Sequence, residues 1–133
     1  MSTIKVTTRK KSEFIDITAD VGRALKQMGA TDGFCLVFVP HTTAAVTINE
    51  SADPDVAADI LAALERIVPR EAGYRHREGN AAAHIKATLV GASLWVAVED
   101  GKPVLGTWQG IFFCEFDGPR SRQVHVRFVG DNG

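Results

Sequence analysis

The sequence predicts a single-domain α+β layer structure of mainly antiparallel strands. About seven strand-like runs gather toward both ends of the chain, and about three segments carry helical spacing. Asp100-Gly101 lies between strand-like runs, a strong signal for a tight hairpin. Strands collected at both ends favour an antiparallel layered structure over a doubly wound parallel sheet.

The elements follow in order. Residues Thr3 to Thr8 alternate, with Ile4 and Val6 on one face. Arg9 to Glu13 is a polar turn, and Phe14 to Thr18 is a second short strand. Thr18 is placed to cap a helix whose Val21, Leu25 and Met28 share a face, with Gly29 as its stop. Phe34 to Val39 is apolar throughout, which predicts a strand buried on both sides, ended by Pro40. Ala44 to Asn49 is the next strand.

Asp53-Pro54 combines a good N-cap with a good first helical residue. Val56, Ile60, Leu61, Leu64 and Ile67 form the apolar stripe of that helix, which ends near Pro69. Arg70 to Asn80 is polar and reads as loop. Ala81 to Val90 has helical spacing in Ile85 and Leu89, with Gly91 as a stop. Leu94, Val96 and Val98 share a strand face. Val104 to Phe116 gives one or two strands, Asp117-Gly118-Pro119 a turn, and Val124 to Phe128 a last alternating strand. Gly130 to Gly133 is expected to fray.

Composition bounds the function. A chain of 133 residues fits one domain, 1–133, and 45% hydrophobic residues suffice for a core without disulfide or metal staples. A net charge of −1 argues against a chain-wide grip on nucleic acid, although Arg120, Arg122 and Arg127 suggest a local basic patch. Cys35 and Cys114 each sit in an apolar run and read as buried thiols, not a disulfide framework. The polar start of the chain is no signal peptide, and no stretch reaches transmembrane length. A soluble protein of the reducing cytoplasm is expected.

Polar chemistry concentrates in three segments. The first holds His41, Thr42 and Thr43 at a strand end, then Asn49, Glu50 and Asp53. A helix cap explains Asp53 better than catalysis does, whereas Glu50 fits a functional or a structural role equally. The second holds His76, Glu78, Asn80 and His84. Two imidazoles with carboxylates nearby suit a divalent metal, yet the spacing matches no established metal motif. The third, Gly106-Thr107-Trp108-Gln109-Gly110, presents an aromatic ring either to a planar ligand or to another subunit. Glu115 shares a strand face with apolar residues, so it needs a partner or a raised pKa; function and an arginine ion pair explain it equally. Arg120 follows a turn and offers a guanidinium that suits phosphate. His125 falls on the solvent face of the last strand and carries no assigned role.

These segments resemble the YjbQ-like family. The resemblance runs through His41-Thr-Thr-Ala-Ala-Val-Thr-Ile-Asn-Glu50 with Asp53-Pro54-Asp55, through Asn80 to Lys86, and through Ser93 to Gly101 with Gly106-Thr-Trp-Gln-Gly-Ile111. It implies a compact α+β sandwich, a homotrimer and, as an activity of some members, thiamine-phosphate synthesis. That reaction joins a pyrimidine pyrophosphate to a thiazole phosphate and releases pyrophosphate. Carried over by position, His41, Glu50, His84 and Glu115 become catalytic candidates. Thr42, Asn49, Asn80, Ser93, Trp108, Gln109 and Arg120 become contacts for a small phosphorylated substrate. His41, His76 and His84 are the candidate ligands of a divalent ion, magnesium or zinc, and no organic cofactor is expected. No phosphate-binding glycine loop at a helix start and no aspartate-rich metal motif is legible. A non-catalytic trimeric metabolite-binding protein and a metal-dependent phosphoester hydrolase are the alternatives.

Overall fold

In a computed structural model, which describes residues 1–131, the chain forms eight strands and three helices. These are β1 (Ser2–Thr7), β2 (Glu13–Asp16), α1 (Thr18–Gln27), β3 (Gly33–Phe38), β4 (Ala44–Glu50), α2 (Pro54–Ile67), α3 (Ala81–Val90), β5 (Ser93–Glu99), β6 (Lys102–Pro103), β7 (Gln109–Glu115) and β8 (Ser121–Gly130). Five strands pair in the order β1-β8-β3-β5-β6, and three pair as β2-β7-β4. Every pairing is antiparallel. The expected α+β sandwich is therefore present.

The layers follow from where apolar side chains go. Val37, Val96, Val124 and Val126 of the larger sheet meet Val46, Ile111 and Phe113 of the smaller one, with Val21 and Leu25 of α1 completing that core. On its other face the small sheet meets α2 and α3 through Ala45, Phe112 and Cys114, packed with Ala83, Ala87 and Leu61. The small sheet is thus the covered middle layer.

That placement corrects the reading of β3. Cys35 and Val37 are buried, but Phe34 and Phe38, at 52% and 40% exposure, face outward. The doubly buried strand is β7, buried at every position from Gly110 to Glu115. Both segments are continuous apolar runs, and periodicity cannot show which sheet the helices will cover.

The helices show a second correction. α3 has the expected bounds, but Ile85 and Leu89 point to solvent. Its buried face is Ala81, Ala82, Ala83, Lys86 and Ala87. Small side chains let this helix lie close on the small sheet, and the larger ones are left outside. α2 begins as expected, with Asp53 Oδ1 accepting the Asp55 N–H at 2.9 Å. Its apolar stripe is nevertheless incompletely covered, and no α2 residue is buried.

Turn chemistry held where backbone geometry demanded it. Gly29 takes φ +67° after α1, and Asp100 and Gly101 take φ 51° and 75° in the β5–β6 turn. The cap of α1 differs from expectation. Asp16 Oδ1 accepts the Thr18 N–H at 2.9 Å and the Thr18 hydroxyl at 2.6 Å, while that hydroxyl accepts the Ile111 N–H at 2.8 Å. Ile17 is the N-cap, with no side-chain cap of its own; the Asp16 carboxylate satisfies the first helical N–H, and the threonine ties the helix to β7. At the other end of the chain Gly130 closes β8, so the expected fraying does not reach it; residues 132–133 lie outside the described part.

Candidate functional site

The polar residues divide according to the ends of the small sheet. β4 pairs with β7 so that Ala44 faces Glu115 at one end and Glu50 faces Gln109 at the other. At ~3.4 Å per residue these ends lie about 20 Å apart.

At the first end Glu115 is 0% exposed. Arg122 reaches it from the larger sheet, with Nε donating at 2.8 Å to Oε1 and Nη2 closing a second bond to Oε2. The Thr8 hydroxyl donates to Oε1 at 2.7 Å, and the Phe116 and Asp117 N–H groups donate to Oε2 at 3.1 Å. Arg122 Nη2 also donates to Thr43 Oγ1 at 2.8 Å. Burial pushes the Glu115 pKa up; the Arg122, Thr8 and backbone hydrogen bonds outweigh it and hold the pKa below the usual carboxylate value. The geometry favours the ion-pair reading of Glu115, a clamp between the two sheets. It also withdraws Arg122 from the expected surface basic patch.

The next residue organises a more open neighbourhood. Asp117 accepts from Lys11, from Asn80 Nδ2 at 2.9 Å and from Arg120 Nη2 at 3.0 Å. Burial opposes its ionisation, but these donors hold its pKa down at about 2. The turn that carries Asp117 passes so close to Lys10 that a Cβ on Gly118 would lie 2.2 Å from the Lys10 carbonyl oxygen, so only glycine fits there. Asn80 precedes α3, and its carbonyl accepts the Ala83 and His84 N–H groups at 3.1 and 3.4 Å. Because Asp117 holds the amide nitrogen, Asn80 Oδ1 is fixed pointing away, buried and without a partner. Lys86, nearly two turns further along α3, is buried, pairs with Glu65 and lies 5.9 Å from the Phe116 ring centroid. Lys11, Arg70, Asn80, Lys86 and Glu65 line a cleft of about 330 Å³ over the first turn of α3.

His41 stands beside the Glu115–Arg122 pair. Its Nε2 accepts the Gln123 N–H at 2.9 Å. Burial lowers its pKa, and the nearby Arg122 charge lowers it further. A neutral imidazole whose Nε2 accepts must carry its proton on Nδ1. His41 therefore offers a ligand a donor and offers a metal no free lone pair. Nitrogen NMR at pH 7 is expected to report the Nδ1–H tautomer; an Nε2–H signature would remove this assignment. Thr42, beside it, is exposed.

His76 and His84 do come together, ring edge to ring face, with centroids 5.2 Å apart, and His76 Nε2 lies 3.8 Å from Glu78 Oε2. His41 does not join them. Among the described residues no three His, Cys, Asp or Glu side chains are grouped to hold a metal ion. The expected three-histidine metal site does not fit this arrangement within one chain.

At the far end Asn49 Oδ1 accepts the Glu50 N–H at 2.7 Å, and Gln109 Oε1 accepts the Gly106 N–H at 2.8 Å. The Trp108 carbonyl accepts the Ser51 N–H at 2.8 Å, while its indole stands 64% exposed. A cleft of about 370 Å³ here is lined by Glu13, Asp16, Glu50 and Asp53 above Phe14, Leu61 and Phe112. Ser93 belongs to neither end, since it pairs with Phe38 on the larger sheet. His125 also lies on that sheet, stacked on Phe38 and bonded to Thr3. Both cysteines are buried as expected, and burial raises both thiols, Cys35 to about 11.

Lys11, Glu65, Arg70, Lys86 and Asp117 were not among the expected site residues. Lys86 left a signal, since it shares a helix face with Ala82 and Ala83, where a lysine serves no packing need. Asp117 was hidden inside a turn motif, and Lys11 in a polar turn.

Fold and site together define a small two-sheet antiparallel α+β protein with polar clefts along its helix-covered inner sheet. The chain belongs to the family described as UPF0047 protein YjbQ-like, whose model matches residues 2–131. It is 50% identical to UPF0047 protein YugU of Bacillus subtilis over 98% of this chain and 99% of that one. A UPF0047 protein of Methanocaldococcus jannaschii is 49% identical over 96% and 92%. A crystal structure of an uncharacterised YjbQ/UPF0047 protein from Clostridium acetobutylicum superposes with a TM-score of 0.94 at 50% identity, covering 97% of this chain and 100% of that one. A protein of unknown function from Sulfolobus solfataricus superposes with a TM-score of 0.92 at 38% identity, covering 98% and 96%. No helix among the described residues is long and apolar enough to cross a membrane.

Proposed function

We propose that this protein binds a small phosphorylated metabolite in the cleft at the start of α3, and that it acts there as a transferase with thiamine-phosphate synthase activity. The cleft carries the reading. Lys11, Arg70 and Lys86 line it, and Arg120 stands beside Asp117 at its edge. Against these four cations stand two carboxylates, Glu65 and Asp117, so the neighbourhood is positive by two charges. The first N–H groups of α3 add to the attraction for an anion. Asn80 Oδ1, which lacks a partner, suits a hydroxyl or amino donor next to the phosphate.

In the transfer, the bond between the pyrimidine's methylene carbon and the pyrophosphate breaks, and the thiazole nitrogen takes that carbon. The departing pyrophosphate keeps the electron pair. Lys11, Arg70 and Lys86 line the cleft and stabilise that charge; His41 does not line it, and is the proton donor that the family resemblance suggests. Purified protein with magnesium and both substrates is expected to form thiamine phosphate, with loss of most activity in Lys86→Met and His41→Ala. A Lys86→Met protein as fast as wild type would sink this reading. Tight metabolite binding with no product would favour the non-catalytic alternative.

The trimer and the cytoplasmic setting belong to the same proposal. Phe34, Phe38, Trp95 and Val129 stand exposed on the outer face of the larger sheet, an apolar surface suited to contact between copies. Light scattering is expected to give three times the 14.4 kDa chain mass; a monomer mass would overturn it. A reducing compartment keeps Cys35 and Cys114 as thiols.

A further inference from the structure

The two clefts are neighbours. Ser12 lines both. α2 walls both as well, giving Glu65 to one and Pro54, Ala57, Ala58 and Leu61 to the other. From Asp53 to Glu65 this wall runs about 18 Å at ~1.5 Å per residue. The opposite wall is the segment from Lys10 to Asp16. The floor is apolar, with Phe14 and Phe112 rings 5.8 Å apart beside Leu61, and Phe116 under the first cleft.

This arrangement accounts for an oddity of α2. The helix has a well-formed apolar stripe, yet none of its residues is buried. Its inner face looks partly into open space along the groove. No side chain among the described residues fills that space.

The charges are arranged along the groove. Lys11, Arg70 and Lys86 line one end. Glu13, Asp16, Glu50 and Asp53 line the other, with Lys10 as the one cation there among the described residues. Glu13, Asp16 and Asp53 already accept backbone N–H groups. Glu50 Oε2 is different, closed from solvent and without a hydrogen-bond partner. A buried acceptor left unpaired is costly, so a donor placed there is strongly favoured. The carboxylates are not grouped as metal ligands. An ammonium or amino group meets the requirement instead.

We infer that the two clefts are one continuous groove for an elongated ligand with a phosphate at one end, an apolar or aromatic body, and an amino group at the other. The phosphate sits over the first turn of α3, the body lies on Phe14, Phe112 and Leu61 beneath α2, and the amine pairs with the Glu50 carboxylate. This rests on the phosphate assignment made above and adds the acidic half of the site to it.

Calorimetry with octyl phosphate, octylamine and 8-aminooctyl phosphate separates the two. The bifunctional probe is expected to bind at least 10-fold more tightly than either single-headed one. Glu50→Gln, close in shape, is expected to remove that increment and leave the octyl phosphate affinity unchanged, which also shows that the variant is folded. Ala58→Arg, which narrows only the acidic half, is expected to do the same. Equal affinity for octyl phosphate and 8-aminooctyl phosphate would overturn the groove while leaving the phosphate site standing. Failure of both phosphates to bind would overturn the phosphate assignment and the groove with it.

Discussion

Replacing Arg122 with methionine is expected to destabilise the fold by about 3–5 kcal/mol, read as a lower midpoint in urea at pH 7. Among the described residues the guanidinium is the only cation bonded to Glu115, which has no exposure to water. Without it, the Thr8 hydroxyl and two backbone N–H groups remain, and a buried carboxylate keeps an uncompensated charge. The pH dependence changes sign between the two proteins. In wild type the folded pKa of Glu115 is depressed, so its contribution is present above the unfolded value of about 4.3 and is lost as pH falls through the folded one. In Arg122→Met burial acts with no cation to oppose it, and the folded pKa rises. The variant then gains relative stability as pH falls toward 4. Replacing both residues, Glu115→Leu with Arg122→Met, should recover much of the loss, since a buried pair is costly mainly when broken. An Arg122→Met protein with wild-type stability would show that the clamp between sheets does not hold the fold.

Most of the architecture was legible because local signals agreed with tertiary placement. Asp53-Pro54 starts α2, Gly29 and Gly91 follow helix ends, and Asp100-Gly101 turns β5 into β6. What failed concerned faces more than elements. Phe34 to Val39 and Ile111 to Phe116 are both apolar runs, and only the docking of α2 and α3 decides that the second is covered twice. Ile85 and Leu89 gave α3 its apolar spacing, but close packing on the small sheet selected its alanines.

The site followed the same rule. The expected polar residues exist as local motifs, but an antiparallel pairing sets Glu50 and Glu115 at opposite ends of one sheet. Their separation is a property of register, which no single segment encodes. Lys11, Glu65 and Asp117 matter through partners 106, 21 and 37 positions away, contacts that no local pattern displays.

The second large effect is on ligand affinity. Arg70→Ala and Lys86→Met are each expected to weaken octyl phosphate binding about 10- to 100-fold, the range of a hydrogen bond to a charged group. Lys86 carries the sharper test. Its stem is buried, so methionine preserves the packing, and its partner Glu65 is half exposed, so that carboxylate can return to water. Stability should change little while affinity falls. Glu65→Gln should act in the opposite direction, because it frees the Lys86 ammonium and raises the positive charge of the cleft. Affinity should also fall with added salt, and less steeply in Lys86→Met than in wild type. Three variants thus move one quantity in predicted directions. Weaker binding in Glu65→Gln would mean that the Glu65–Lys86 pair shapes the cleft, and that the ammonium does not itself hold the anion.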